Sequence, residues 1–186
     1  MKIIFFSLEK AYNEIGRCAQ MMSEQGGKPM PDMLCKLYDL PEIESPESFE
    51  RRTGVTIRRA IAPEMHVVLD WIGKHFNQGW VSEAQAAFAR TPVSCLIAVE
   101  NGRLLGFACY DATLRGFFGP TGVEEQERGR GIGKMLFLYA LQMMRNDGYG
   151  YAVIGGAGPV SFYEKAAGAV VIPDSSPGVY KGMLKS

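Results

Sequence analysis

The spacing of apolar and polar positions changes along the chain, and each change marks an expected structural element. Between residues 7 and 24, apolar side chains recur at helical intervals until Gly26 and Gly27 interrupt them, which predicts a helix over 7–24. Residues 28–53 are rich in proline and glutamate and predict a connector. Within it, the segment MLCKLYDL is expected either to dock on the core or to form a short helix.

The middle of the chain predicts one strand, two helices and a hairpin. VTIRRA, residues 55–60, alternates as a strand, and Pro63 then opens a helix with one apolar face. Ser82 and Gln85 have the spacing of a capping box, which predicts a second helix over 83–90. Strands over 94–100 and 103–111 are joined by Asn101-Gly102, a strong hairpin signal, so they are expected to pair antiparallel.

The last third begins with an unusual strand. Residues 114–123 contain three glycines and a proline besides their apolar positions, so this strand is expected to be bulged or locally unpaired. The elements predicted after it are a helix from Ile132 to near Gly148, a strand over 149–154, a helix opened by Pro159 and two short strands. This order predicts an α/β (α+β) fold: a mixed, mostly antiparallel twisted sheet of about seven strands, flanked by helices on both faces.

Composition narrows the class of ligand. The chain has 186 residues, 47% of them apolar and 22% charged, which suits a single sizeable core. The formal net charge is zero, so no basic field draws the protein to nucleic acid or to an anionic membrane, and a small ligand is expected. The amino terminus has only four consecutive apolar residues before Ser7, and the four cysteines form no CxxC pair. We therefore expect a soluble, cytoplasmic protein with reduced, buried thiols.

The segment ERGRGIGKMLF, residues 127–137, carries the chemistry that is easiest to interpret. Three alternating glycines and an arginine precede a helical run, and a helix start presents unpaired N–H groups and a positive dipole end. This arrangement predicts an anion site, with phosphate as the expected ligand. It does not fit a P-loop, because Arg128 and Met135 stand where a glycine and a hydroxyl residue are required. It does not fit a dinucleotide fingerprint either, because Lys134 stands where the last glycine should be.

The segment does contain R-x-x-G-x-G, with Arg128, Gly131 and Gly133 in register after a strand that ends near Val123. This motif resembles the acyl-CoA pyrophosphate loop of the GNAT (Gcn5-related N-acetyltransferase) superfamily, and SFYEKAAGAVVI, residues 161–172, resembles the second conserved block of that superfamily. The resemblance implies a GNAT domain over 54–186, preceded by a helical extension and connector over 1–53. It also implies that the bulged strand splays from its neighbour and opens a slot for pantetheine.

The resemblance implies acetyl-CoA as the cofactor, and no metal. The backbone of residues 129–134 is expected to bind its pyrophosphate, Val123 to offer backbone to pantetheine, and the arginines to contact phosphate. The complete set of expected cofactor-binding residues is Val123, Arg128, Gly129, Arg130, Gly131, Ile132, Gly133, Lys134 and Phe162.

The resemblance places a tyrosine acid at Tyr163, which would protonate the leaving thiolate. Where many relatives carry an asparagine that contacts CoA, this chain has Gly156. The general base stays open between Asp111, Glu83 and a chain of water molecules. The acceptor is expected near the aromatic segment HFNQGWVSEAQAAFAR, with Trp80, Glu83 and Asp111 as the substrate-binding residues.

The predicted function is acetyl transfer from acetyl-CoA to a primary amine of a small molecule, amino acid or peptide, by direct attack in a ternary complex. The alternative is a non-catalytic acyl-CoA sensor or scaffold of the same fold. A third hypothesis, nucleotide phosphate chemistry, requires Mg²⁺-dependent binding of ATP or GTP. No nucleic-acid or membrane partner is expected, and the sequence leaves monomer and homodimer open.

Overall fold

Seven strands form one sheet in residues 30–184, the part of the chain that the computed structural model describes. The predicted helix over 7–24 lies outside these residues. The strands are β1 (Met33–Lys36), β2 (Thr56–Arg59), β3 (Cys95–Glu100), β4 (Arg103–Tyr110), β5 (Phe117–Val123), β6 (Tyr151–Ile154) and β7 (Val170–Val171). The helices are α1 (Pro46–Thr53), α2 (Met65–His75), α3 (Gln78–Phe88), α4 (Ile132–Asn146) and α5 (Val160–Ala167). Single 3-10 turns cover Leu37–Asp39, Ala62–Glu64, Glu125–Glu127 and Gly178–Tyr180.

The strand order across the sheet is β2-β3-β4-β5-β6-β1-β7. Every neighbouring pair is antiparallel except β5 and β6, which run parallel. The predicted mixed, mostly antiparallel sheet is therefore confirmed. The parallel pair lies in the middle of the sheet, where α4 provides the crossover between its two strands.

Each face of the sheet has its own hydrophobic core. Leu96 and Ala98 of β3 belong to the core under α1, α4 and α5, whereas Cys95 and Ile97 belong to the core under α2 and α3. This division follows from the strand period of two, which sends successive side chains to opposite faces. Helices on both faces were predicted, and the structure confirms them.

The hairpin between β3 and β4 has the expected turn. Asn101 and Gly102 both have positive φ, 50° and 77°, as a two-residue type I′ turn requires. Glu100 then pairs with Arg103, and Cys95 pairs with Cys109 at the far end. The turn thus sets the register of β4, the strand that supports β5.

The predicted connector over 28–53 contains regular structure. The segment MLCKLYDL docks on the core, one of the two expected outcomes, with Met33, Cys35 and Leu37 fully buried. Its first half, Met33–Lys36, is strand β1, which pairs with β6 on one side and β7 on the other, and Leu37–Asp39 follows as a 3-10 turn. Burial alternates along β1, with Met33 and Cys35 fully buried, as the strand period of two requires. The strand has only four residues and lies in a segment rich in proline and glutamate, so its period is too short to be recognised in the sequence. The compact unit that contains the sheet begins at Pro31, and the predicted division between residues 53 and 54 stays a prediction.

Two further predictions need correction. Helix α3 begins at Gln78 rather than at residue 83, because Asn77 caps it by accepting from the Trp80 N–H at 3.0 Å. Ser82 lies inside the helix and donates to the Gln78 carbonyl. Among the described residues after α5, one short strand forms instead of two, so the seventh strand of the sheet is β1.

Candidate active site

A slot opens where β5 and β6 separate. The two strands pair only at Phe117 with Val153 and at Phe118 with Ile154. From residue 119 to 123, the same edge of β5 pairs with no strand in the described part of the chain, while its other edge stays on β4 through a shifted register. The predicted break in this strand is therefore confirmed.

The loop after β5 is an open N–H cradle. Gly129 and Gly131 have φ of 84° and 82°, a conformation that side chains rarely adopt, and Gly131 is the N-cap of α4 without a side-chain cap. None of the hydrogen bonds among residues 30–184 uses the N–H groups of residues 129–134. Several unpaired donors at a helix N-terminus suit a phosphate group, so the loop fits the pyrophosphate of CoA.

Arg130 does not lie free beside this cradle. Its guanidinium pairs with Glu100 at 2.6 Å and with Glu127, and it also donates to the Thr53 carbonyl at 3.2 Å. Its hydrogen bonds to Glu100 and then Glu127 raise its pKa above the ordinary arginine value. Arg130 therefore ties the loop to β3 and to the end of α1.

The other residues expected at the cofactor lie around the slot. Arg128 and Lys134 are exposed, whereas Ile132 is buried and anchors the start of α4. Val123 packs at the end of β5 close to Gly133, where an added Cβ would lie 3.5 Å from a Val123 methyl group. Phe162 is half-buried on α5.

Tyr163 lies on the α4 and α5 side of the slot. Its ring packs edge-on against Phe137 and Phe118, with centroids 5.1 and 6.4 Å away, so it adjoins the last paired residue of β5. Burial raises the pKa of the Tyr163 phenol to about 12, which keeps the hydroxyl protonated at neutral pH. The described residues form no hydrogen bond to this hydroxyl.

Asp111 has a structural task in the loop between β4 and β5. One carboxylate oxygen accepts from the Gly116 N–H at 2.7 Å and the other from the Tyr149 hydroxyl at 2.8 Å. Arg90 donates two hydrogen bonds to its carbonyl oxygen. Both carboxylate oxygens thus bind groups of the protein itself, and the role of Asp111 as a base stays a prediction.

Trp80 and Glu83 lie on the opposite face of the sheet from Tyr163. Trp80 packs on Phe76 with ring centroids 4.8 Å apart, and Phe76 lies directly over Gly122 of β5. Glu83, almost one turn further along α3, accepts a hydrogen bond from the Thr113 hydroxyl. The structure therefore brings the aromatic wall and one carboxylate to the side of β5 that faces α2 and α3.

Two residues that the sequence did not single out also lie at the slot. Asp32 is buried and accepts from the Gly156 N–H at 2.9 Å, so it fixes the loop after β6. Tyr180, in the last 3-10 turn, places its hydroxyl beside Gly155. No local pattern marks either residue, because each reaches the slot only through the folding of a distant segment.

Within residues 30–184, no group of three or more histidine, cysteine, aspartate or glutamate side chains is arranged to hold a metal ion. None of the helices described above is both long enough and apolar enough to cross a membrane.

Comparison with known proteins identifies the family. The profile described as "Acetyltransferase (GNAT) family" matches residues 59–169, well over half of the chain. The chain belongs to the GNAT family. The proteins of this family are acetyltransferases, and the GNAT match includes the slot, the N–H cradle and Tyr163.

Solved structures show the same GNAT fold. The glucosamine N-acetyltransferase region of a fungal multi-domain GH3 beta-N-acetylglucosaminidase superposes with a TM-score of 0.64 at 18% identity, over 84% of this chain and 22% of that one. A GCN5-related N-acetyltransferase from Sphaerobacter thermophilus gives 0.59 at 23% identity, over 83% and 53%. One from Kribbella flavida gives 0.52 at 18% identity, over 82% and 59%.

These similarities establish the fold and no more, because the identities are low. The chain also spans between about a fifth and three fifths of the length of these GNAT structures. No curated protein matches the sequence significantly.

Proposed function

We propose that this GNAT chain transfers an acetyl group from acetyl-CoA to a primary amine of a small molecule, amino acid or peptide. The N–H cradle of residues 129–134 is the observation that carries the proposal. It combines unpaired donors, a helix dipole and two glycines at positive φ directly beside the open edge of β5. These features together suit a ligand with a pyrophosphate at one end and an extended arm at the other.

Three parts of the slot have separate roles in the proposed reaction. The cradle holds the pyrophosphate, and the unpaired edge of β5 up to Val123 offers backbone groups to the pantetheine arm. Tyr163 lies next to Phe118, where the slot closes, and there its protonated phenol is suited to donate to a leaving thiolate. The amine nitrogen attacks the thioester carbonyl and loses one proton to a base, which is Asp111, Glu83 or a chain of water molecules. The C–S bond breaks, and sulfur takes the phenolic proton.

Direct attack by the amine is favoured over an acyl-cysteine intermediate. The described cysteines, Cys35, Cys95 and Cys109, are all fully buried. Burial raises the pKa of Cys35 to about 11 and that of Cys109 well above its ordinary value. Such thiols stay protonated at neutral pH and are poor nucleophiles, which supports transfer within a ternary complex.

Calorimetry with acetyl-CoA tests the cradle. Alanine at position 131 would strain the left-handed conformation that aims the N–H groups, so Gly131→Ala should weaken acetyl-CoA binding at least about tenfold, or about 1.4 kcal/mol. Gly148→Ala is the matched control, because Gly148 has φ of 96° near the other end of α4 and open space around it. It should lose stability and keep its affinity for acetyl-CoA.

Equal affinities for the two variants would contradict the cradle as the CoA site. A thiol-release assay with a panel of amines then distinguishes a transferase from a non-catalytic acyl-CoA sensor or scaffold. Turnover with any amine supports the transferase, whereas tight acetyl-CoA binding without turnover across the panel would favour the sensor or scaffold. Binding of Mg²⁺-ATP or Mg²⁺-GTP in place of acetyl-CoA would favour nucleotide chemistry.

A further inference from the structure

The N–H cradle of residues 129–134 has few local interactions that hold its shape. Glycine stands at positions 129, 131 and 133, and glycine loses more conformational freedom on ordering than any other residue. Gly131 is the N-cap of α4 and offers no side chain to cap the helix. Arg130 lies between the first two of these glycines, so its side-chain contacts can fix the backbone on both sides of it.

A chain of ion pairs connects the cradle to the turn between β3 and β4. Arg130 pairs with Glu100, the last residue of β3, at 2.6 Å, and with Glu127 in the 3-10 turn before the cradle. Glu127 also pairs with Arg103, the first residue of β4, and Arg103 pairs in turn with Glu124 at 2.7 Å. Because Glu100 and Arg103 are cross-strand neighbours, the pairs begin and end at the same hairpin. We call these five residues the ion-pair chain.

Helix α1 supports the cradle from a second direction. Arg130 donates to the carbonyl of Thr53 at 3.2 Å. Thr53 is the last residue of α1, where carbonyl groups lack helical partners and a positive charge is favoured. Phe49 of the same helix is buried beside the cradle, since a Cβ added to Gly131 would lie 3.8 Å from its ring. The hairpin and α1 therefore hold the same short stretch of backbone.

The charge of the ion-pair chain does not itself favour a phosphate. Three carboxylates and two guanidinium groups give it a net charge of −1. Hydrogen bonds from Arg130 lower the pKa of Glu100, and those from Arg103 and then Arg130 lower the pKa of Glu127, so both carboxylates are ionised at neutral pH. An excess of negative charge beside the cradle repels an anion. Any gain in binding must therefore come from the position of the backbone.

We propose that the ion-pair chain holds the cradle through Arg130, so that the N–H groups stay in the position that binds the pyrophosphate of acetyl-CoA. Arg130 is thus a positioning residue that acts through the loop backbone. A loop that is already fixed in its bound conformation binds more tightly, because less freedom is lost on binding. The inference rests on the proposed function of the cradle as the CoA site.

Removal of the Glu127 charge distinguishes positioning from a direct contact between Arg130 and phosphate. If Glu127 only repelled the ligand or competed for Arg130, Glu127→Gln would bind acetyl-CoA more tightly than wild type. The ion-pair chain predicts the opposite sign, with affinity at least about threefold lower in calorimetry. Glu125→Gln is the matched control, because Glu125 is exposed in the same 3-10 turn and forms no ion pair within residues 30–184. It should bind acetyl-CoA as wild type does, or slightly more tightly.

Two substitutions of Arg130 test the same point from the other side. Lysine keeps a positive charge that can meet a phosphate, but it lacks the planar fork that reaches two carboxylates and a carbonyl together. Arg130→Lys and Arg130→Gln should therefore both weaken acetyl-CoA binding, by about tenfold. Arg130→Gln combined with Glu127→Gln should lose at most about twofold more than Arg130→Gln alone, because both changes break the same chain.

A shorter ligand separates positioning of the cradle from general distortion of the slot. S-acetylpantetheine has the thioester arm of acetyl-CoA but no pyrophosphate. Thermal unfolding should show that each variant is folded. The affinity for S-acetylpantetheine, measured by its competition with acetyl-CoA, should stay within about twofold of wild type while the affinity for acetyl-CoA falls. Parallel losses for both ligands would overturn the proposal, because the whole slot would then be distorted.

Tighter acetyl-CoA binding in Glu127→Gln, or wild-type affinity in Arg130→Lys, would also overturn the positioning role. If wild type does not bind acetyl-CoA, the proposed function fails, and the inference fails with it. If Gly131→Ala weakens binding but the Arg130 and Glu127 variants do not, the cradle remains the CoA site and the ion-pair chain alone is wrong.

Discussion

Gly122 of β5 is the position where the structure predicts most clearly how an added side chain changes stability. A Cβ added there would lie 2.7 Å from Cε2 and 2.9 Å from Cε1 of the Phe76 ring, and closer still to Cζ. Real Cβ atoms essentially never approach that closely, so in Gly122→Ala the ring must move. Its neighbours leave little room, because the rings of Trp80, Trp71 and Phe107 have centroids 4.8, 5.8 and 6.0 Å away.

The expected cost follows from overpacking. Forcing an extra methyl group into a packed site costs about 1–3 kcal/mol, and the reduced chain entropy of alanine in the unfolded state returns about 0.4–1 kcal/mol. Gly122→Ala should therefore lower the free energy of unfolding by about 1–2 kcal/mol, which is a fall in Tm of roughly 2–8 °C for a domain of this size. Urea unfolding followed by tryptophan fluorescence measures it directly.

Two controls decide whether Phe76 causes the loss. Gly150→Ala should change stability by less than about 0.5 kcal/mol, because Gly150 has open space around its Cβ position and no positive φ. In a Phe76→Leu background the clash is relieved, so Gly122→Ala should become neutral or slightly stabilising. If Gly122→Ala is as destabilising in the Phe76→Leu background as in wild type, the packing described for this face is wrong.

The structure also predicts how two carboxylates respond to substitution. Asp111→Ala should lower the free energy of unfolding by about 1–3 kcal/mol through loss of its bonds to Gly116 and Tyr149. A large loss of kcat at unchanged stability would contradict this structural role and would make Asp111 the general base. Hydrogen bonds from Arg58 lower the pKa of Glu64 to about 2, so the stability it contributes is present above the unfolded pKa near 4.3 and is lost as pH falls toward 2. Urea unfolding should therefore show that the advantage of wild type over Glu64→Gln is larger at pH 5 than at pH 2.5. The advantage at pH 5 should stay below about 1 kcal/mol because the pair is partly exposed, and an equal difference at both pH values would contradict this.

Local signals predicted the backbone geometry of β5, of the hairpin before it and of the start of α4. Asn101-Gly102 required positive φ and gave the hairpin, and the glycines and proline of β5 gave the break in pairing. The glycines before α4 gave the open helix start. Each of these features depends on the conformation of a few consecutive residues, so the local sequence is sufficient to predict it.

The features that escaped prediction depend on distant parts of the chain. Asp32 meets the Gly156 N–H across 124 positions, and this contact exists only because β1 inserts beside β6. Arg130 donates to Glu100, which lies 30 residues earlier, and no local pattern indicates this partner. Whether an arginine meets a ligand or a carboxylate is decided by the fold and not by the motif around it.

The predicted start of α3 was wrong for a different reason. Two caps compete in the sequence, Asn77 and Ser82, and the pattern with Gln85 favoured the second. The structure uses Asn77, whose extended backbone lets its side chain accept from the Trp80 N–H. Capping residues indicate where a helix can begin, whereas packing of Ala84, Ala87 and Phe88 on the sheet determines how much of it forms.

The central claim is that the slot between β5 and β6 supports acetyl transfer with Tyr163 as the acid, and thiol release from acetyl-CoA tests it most directly. Wild type and Tyr163→Phe should be compared over a broad panel of amines. Loss of the acid should lower kcat by about 100-fold or more while calorimetry shows unchanged acetyl-CoA affinity. If Tyr163→Phe turns over at the wild-type rate, Tyr163 is not the acid. If wild type acetylates no amine although it binds acetyl-CoA tightly, the proposed transferase function is wrong.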